Sequence, residues 1–167
     1  MKLEDLKREF EETRKVVKER DLNLPSVTMA SLLGSLYDLG ILTQGTVGLL
    51  ARHFVPKICA YMHEKGIMSP EKDPLENLRS AFKEYGFKDD EVSFAREGEE
   101  VRVEVVTKRC KICPKGVGGA EIQGTACPVP YFVAYCLSLA TGKLWTPKQM
   151  TKKEGGKCKA SVAPAEG

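Results

Sequence analysis

Apolar residues recur three and four positions apart through the first half of the chain and then switch to strict alternation, and this change of period divides the molecule. Over residues 2–20, Leu3, Leu6, Phe10, Thr13 and Val17 form a narrow stripe between interleaved acids and bases, which predicts a helix with one face for another helix. Asn23-Leu24-Pro25-Ser26 reads as a break, because proline ends a helix and biases its predecessor away from it. A second helix is expected over 28–39, capped by Ser26 or Thr28, with Met29, Leu32, Leu33, Leu36 and Leu39 on its apolar positions and Gly40 ending it. Thr43 opens a longer helix to Lys65, closed by Gly66 and kinked at Pro56. Near its start Gly45 and Gly48 share a face, where a missing side chain permits close approach of a backbone or ligand. Asp73-Pro74-Leu75-Glu76 carries a cap, a first-turn proline and an acid three residues after the cap, so a fourth helix should run to Tyr85 and stop at Gly86.

From Glu91 the period becomes two. Val92 and Phe94 lie in one strand (91–96), and Val101, Val103 and Val105 alternate with Arg102 and Glu104 in the next, across a turn at Glu97-Gly98-Glu99. Residues 114–124 read as a loop with Gly116, Gly118 and Gly119 but without the Gly-Lys-Ser/Thr ending of a phosphate loop. Pro128 and Pro130 open an apolar helix over 130–141, ended by Gly142. Strands at 143–150 and 157–162 follow, joined by a turn over 152–156. N-terminal helices followed by hairpin, helix and hairpin imply an α+β fold, an antiparallel sheet packed with helices. The expected organisation is an N-terminal helix (1–24) that packs within the molecule by default, with a dimerisation arm as the alternative, one domain (25–163) and a short tail (164–167).

Composition narrows the class without naming a reaction. The chain has 167 residues, enough to bury one sizeable core, and 42% hydrophobic with 29% charged residues argues against disorder or fibre. No run approaches the roughly 18 apolar residues of a membrane span. The opening MKLEDLKREF lacks the apolar core of a secretory signal, which implies a reducing cytoplasm. The net charge of +3 is uneven: from Lys108 onward there are ten Lys or Arg against three Asp or Glu, so the C-terminal part is basic. Solvated lysines around a thiolate cluster are the simplest account; a face for nucleic acid or an acidic protein is the competing one.

That basic part holds five of the six cysteines. Cys110 and Cys113 form a C-x-x-C pair directly after a strand, Cys127 precedes a helix, and Cys158 lies in a late strand. Thiolates three positions apart on a tight turn can face one ion, with two more from remote segments completing a tetrahedron. Cys110, Cys113, Cys127 and Cys158 are therefore the expected ligands of a structural zinc. Cys136 is the competing fourth ligand and otherwise core filler, as is Cys59. Disulfides are the competing chemistry for the same residues, and a redox pair at Cys110 and Cys113 lacks the βαβ context it would need. His53 and His63 read as polar residues on a helix flank, and Trp145 as packing. No nucleophile–base pair or carboxylate dyad is visible, so an enzyme is not the expected class.

The segment VRVEVVTKRCKIC…GTACPVPYFVAYCLSLATGK…GGKCKASV resembles the C-terminal half of vinyl-4-reductase-type, or hydrocarbon-binding, domains, and LLGSLYDLGILTQGTVGLLARHF looks like their paired helices. The resemblance covers residues 28–162. It implies an α+β fold akin to subunits of Golgi transport complexes, a homodimer, an enclosed apolar ligand site and a sensory or accessory role. Under it, Leu36, Leu39, Phe54, Ile58, Tyr61, Phe132, Tyr135 and Trp145 would line the ligand site. The family commonly has a Glu-x-x-Cys pair before its last cysteine; here KQMTKKEGGKC lacks it, and Cys110 and Cys113 would supply those ligands. The expectation is thus a cytoplasmic, zinc-stabilised, non-catalytic module for a small apolar ligand, with a nucleic-acid- or protein-binding adaptor as the alternative.

Overall fold

The structure is a computed structural model that describes residues 3–115 and 126–166. Five α-helices and four strands follow in the order α1 (Leu3–Arg20), α2 (Leu24–Asp38), α3 (Val47–Glu64), α4 (Pro74–Glu84), β1 (Val92–Glu97), β2 (Glu100–Val106), α5 (Val129–Thr141), β3 (Trp145–Glu154) and β4 (Lys157–Pro164). A 3-10 turn, Thr107–Arg109, follows β2. The α+β class with an antiparallel sheet is as the change of period implies.

Several boundaries differ from the sequence expectation, each for a local reason. The predicted break at Asn23 is instead the start of α2: the Asn23 side chain accepts from the Ser26 amide at 3.0 Å, and Pro25 sits in the first turn, where a missing N–H costs nothing. Ser26 is no cap; its buried hydroxyl donates to the Tyr85 carbonyl at 2.8 Å and ties α2 to the end of α4. Thr43 does not open α3. Its hydroxyl accepts from the Thr46 amide while the Thr46 hydroxyl accepts from the Thr43 amide, a closed turn that delays the helix to Val47. The α4 start is as read: Asp73 accepts from the Leu75 and Glu76 amides. β3 runs on to Glu154 through two register shifts, which shortens the turn to Gly155-Gly156, both at positive φ. β4 extends through Pro164, and the Ala165 amide donates to the Leu144 carbonyl at 2.8 Å, so the expected tail is largely tied down.

The sheet order is β1-β2-β4-β3, antiparallel throughout. Alternation places Val101, Val103, Val105, Ala160 and Val162 on the buried face, and α5 lies across it, packed also against α3 and α4. Phe82 of α4 is fully buried at the centre, its ring edge-on to Phe94 at 5.0 Å and Phe132 at 5.6 Å between centroids. Such pairs add about 0.5–1.5 kcal/mol beyond area burial. Where α3 and α5 meet, Gly48 is the close approach expected of it: a Cβ there would stand 2.6 Å from the Tyr131 ring. α1 is different. None of its residues is buried, and Leu3 and Phe10 are each 65% exposed. Among the described residues no helix is long and apolar enough to cross a membrane.

Candidate metal centre

Three structural junctions converge at one end of the sheet. Cys110 and Cys113 lie on the turn that leaves β2 through the 3-10 segment, Cys127 stands immediately before α5, and Cys158 lies in β4 opposite Val105 of β2 and Lys153 of β3. Because Cys158 is in phase with Ala160 and Val162, the strand's pleat turns it to the inner face. All four predicted ligands thereby line one cavity of about 130 Å³, walled by Val103, Val105, Ala126, Val129 and Ala160. The predicted glycine-rich loop that joins Lys115 to Ala126 lies outside the described residues.

Polar groups around this cavity favour thiolate at two of the four sulfurs. Amides of Ile112 and Cys113 bond to the Cys110 sulfur, the arrangement a tight C-x-x-C turn creates. The Val129 amide, at the N-terminus of α5, does the same for Cys127. Thr151 Oγ1 is buried without an ordinary hydrogen-bond partner among the described residues, and it favours the thiolate of Cys127, with which it shares the cavity wall. Thr107 Oγ1 lies 3.4 Å from the Cys158 sulfur. Against these, burial in an apolar wall pushes the Cys110 thiol well up, with Cys113 and Cys127 adding to it. Burial likewise pushes Cys127 up to about 12, with Cys113 and Cys158 contributing. The four thiols therefore feel one another, and a cation among them would reverse the balance by favouring every thiolate.

All six cysteines are free thiols in this structure. Among the described residues no three Cys, His, Asp or Glu side chains stand at ligand spacing. A tetrathiolate zinc needs its sulfurs about 2.3 Å from the ion. The donor type, the shared cavity and the amide-bonded turn fit zinc, while the cage is open and would have to contract onto the ion. A four-sulfur cage would leave no position for water, so a zinc held there would be structural.

The second cysteine group is separate. Cys59 of α3 and Cys136 of α5 are both buried in the main core with their sulfurs 3.4 Å apart, away from the cavity, as expected of core filler. His53 is exposed and His63 half-buried on α3.

The eight predicted ligand-site residues are dispersed. Ile58 and Tyr61 line an open groove of about 410 Å³ with Pro25, Met29, Met62 and Tyr85, between α2, α3 and α4. Phe54 and Phe132 border a void of about 10 Å³ that shares Met29 and Tyr85 with it. Leu36 and Tyr135 are half-buried, and Leu39 is 72% exposed. Trp145 is buried, its indole N–H donating to Thr141 Oγ1 at 2.9 Å. None of these four lines the groove or the void.

Sequence reasoning missed what holds the C-x-x-C turn. Lys111, expected among solvated lysines, is fully buried: its ammonium donates to the carbonyls of Arg20 and Asp21 and lies 3.4 Å from Glu91. Arg20 donates to the carbonyls of Cys113 and Lys115 at 2.7 and 2.5 Å. No local pattern signals these contacts, because their partners lie about ninety residues apart. Elsewhere three of the C-terminal lysines are paired: Lys148 with Glu100, Lys157 with Glu104 and Lys159 with Glu154.

Among known proteins, the uncharacterized protein MJ1342 of Methanocaldococcus jannaschii is 37% identical over 65 residues, covering 36% of this chain. The chain spans 57% of that relative's length. No solved structure matches at a significant level. The model of the MJ0207 family matches residues 40–164, a stretch that includes all six cysteines, and the chain belongs to the MJ0207 family.

Proposed function

We propose that this chain is a zinc-stabilised, non-catalytic binding module for a small apolar molecule, acting as a cytoplasmic homodimer in a sensory or accessory role. The observation that carries the metal part is the convergence of Cys110, Cys113, Cys127 and Cys158 on one cavity, from segments that nothing else in the sequence relates. Zinc held there would pin the exit of β2, the start of α5 and β4 together, and its contribution would be to folding. The ligand part rests on the groove at Ile58 and Tyr61, which lies within the usual volume range of small-molecule sites and is mostly apolar, with Lys57 and Glu84 at its rim. The resemblance to hydrocarbon-binding domains points the same way. The unpartnered apolar residues of α1 support the dimer, with Leu3, Leu6 and Phe10 as its contact. The adaptor reading is weaker, because Lys148, Lys157 and Lys159 of the basic part already pair with glutamates of β2 and β3.

Native mass spectrometry of protein purified without chelator tests this reading. The expected species is a dimer with one zinc per chain and an additional small apolar mass. Ile58→Asp should lose that mass and keep the zinc. A metal-free chain that carries no small molecule contradicts the reading.

A further inference from the structure

We infer that Arg20 and Lys111 are positioning residues of the cysteine centre, and that through them metal binding is coupled to the attachment of α1. This deepens the zinc reading and rests on it. α1 buries no residue, and a cluster of its hydrogen bonds to the body lies in its last turn. Three cations bind main-chain carbonyls across that junction, and a fourth, Lys88, pairs with the Asp21 carboxylate at 3.1 Å. Arg20 reaches out of the helix to the carbonyls of Cys113 and Lys115. Lys111 reaches the other way, to the carbonyls of Arg20 and Asp21, and Arg109 donates to the Glu19 carbonyl at 2.9 Å. Carbonyls at a helix C-terminus lack intrahelical partners and carry the negative end of the helix dipole, so buried and half-buried cations are their natural caps.

The same contacts fix the C-x-x-C turn. Lys111 lies between the two cysteines, and its ammonium is held on one side by α1 and on the other by Glu91, which also accepts from the Lys88 amide. Cys113 has its own carbonyl held by Arg20. The turn therefore cannot contract onto an ion, or relax away from one, without moving the groups that seat α1. Coupling of this kind is reciprocal: whatever factor zinc adds to the attachment of α1, that attachment adds to zinc affinity. The cations at the junction also offset the negative charge that four thiolates would leave on the zinc.

Two readouts on the full chain test the coupling. Competition against a chromophoric chelator gives zinc affinity, and amide hydrogen exchange of residues 13–22, referenced to α4, gives the attachment of α1. Arg20→Ala and Lys111→Met should each weaken zinc about 10-fold or more, the usual effect of losing a group that orients a ligand. Both should speed exchange in residues 13–22. Removing zinc from the unaltered chain should do the same, and Arg20→Lys should recover part of the affinity. Trp145→Phe, which lowers stability at the far end of β3 from Cys158, should leave zinc affinity unchanged. Unaltered zinc affinity in Arg20→Ala, equal exchange with and without zinc, or an equal loss in Trp145→Phe would each overturn the coupling while leaving the metal centre standing. Failure of the unaltered chain to bind zinc would sink both together.

Discussion

The two cysteine groups make an instructive pair, because the same residue type meets two different surroundings. Cys59 and Cys136 project from the middles of two helices into a packed core, with their sulfurs 3.4 Å apart. Cys110, Cys113, Cys127 and Cys158 come from a turn, a helix start and a strand, and they surround space. The first group has no backbone amides to offer, since helix-interior amides are already spent within the helix. The second sits where amides are free: after a tight turn at Cys110 and at the first turn of α5 for Cys127. A thiolate needs such donors or a cation, so only the second group offers the surroundings that the proposed zinc would require.

The largest effect should come from the cavity group. Cys110→Ser keeps the size of the side chain but weakens the ligand, and should release zinc and lower the melting temperature by about 10 °C or more, read by calorimetry with metal analysis. Unchanged metal content and melting would erase the distinction between the groups. A smaller effect is expected in the core pair: Cys136→Ala should cost about 1–2 kcal/mol in denaturant unfolding, the price of a small cavity, with zinc fully retained. Loss of zinc there would make Cys136 a ligand and redraw the site.

The smallest effect concerns Tyr85, which lines the groove and faces the core pair. Burial, then the nearby Cys59 and Cys136, hold its phenol protonated well above the ordinary tyrosine range. Since its pKa is raised on folding, its contribution to stability is complete below about pH 10 and declines as pH rises further. Absorbance at 295 nm should show a late phenolate component in the folded chain that Tyr85→Phe removes. Ordinary titration of all five tyrosines would contradict the burial of this one.

These contrasts mark how far the sequence reaches. The placement of Cys158 in the last strand and of Cys127 just before a proline-opened helix was legible in the sequence. The Asp73 cap and the small-residue contact at Gly48 were legible too, since local geometry demands those residue types. Lys111 was not, for a lysine between two cysteines carries no sign of burial until Arg20, Asp21 and Glu91 are brought to it. Asn23 was misread because Pro25 looks the same at the end of one helix as inside the first turn of the next. The ligand groove was half legible: Ile58 and Tyr61 face it, whereas Trp145 and Leu39 satisfy the same apolar pattern for other reasons, one in the core and one on the surface.

The most direct test of the central claim is the X-ray absorption spectrum at the zinc edge of the purified full chain. Four sulfur neighbours at about 2.3 Å, with the spectrum unchanged in the double variant Cys59→Ala, Cys136→Ala, are the predicted result. Oxygen or nitrogen neighbours in place of sulfur, or no zinc at all, would contradict it.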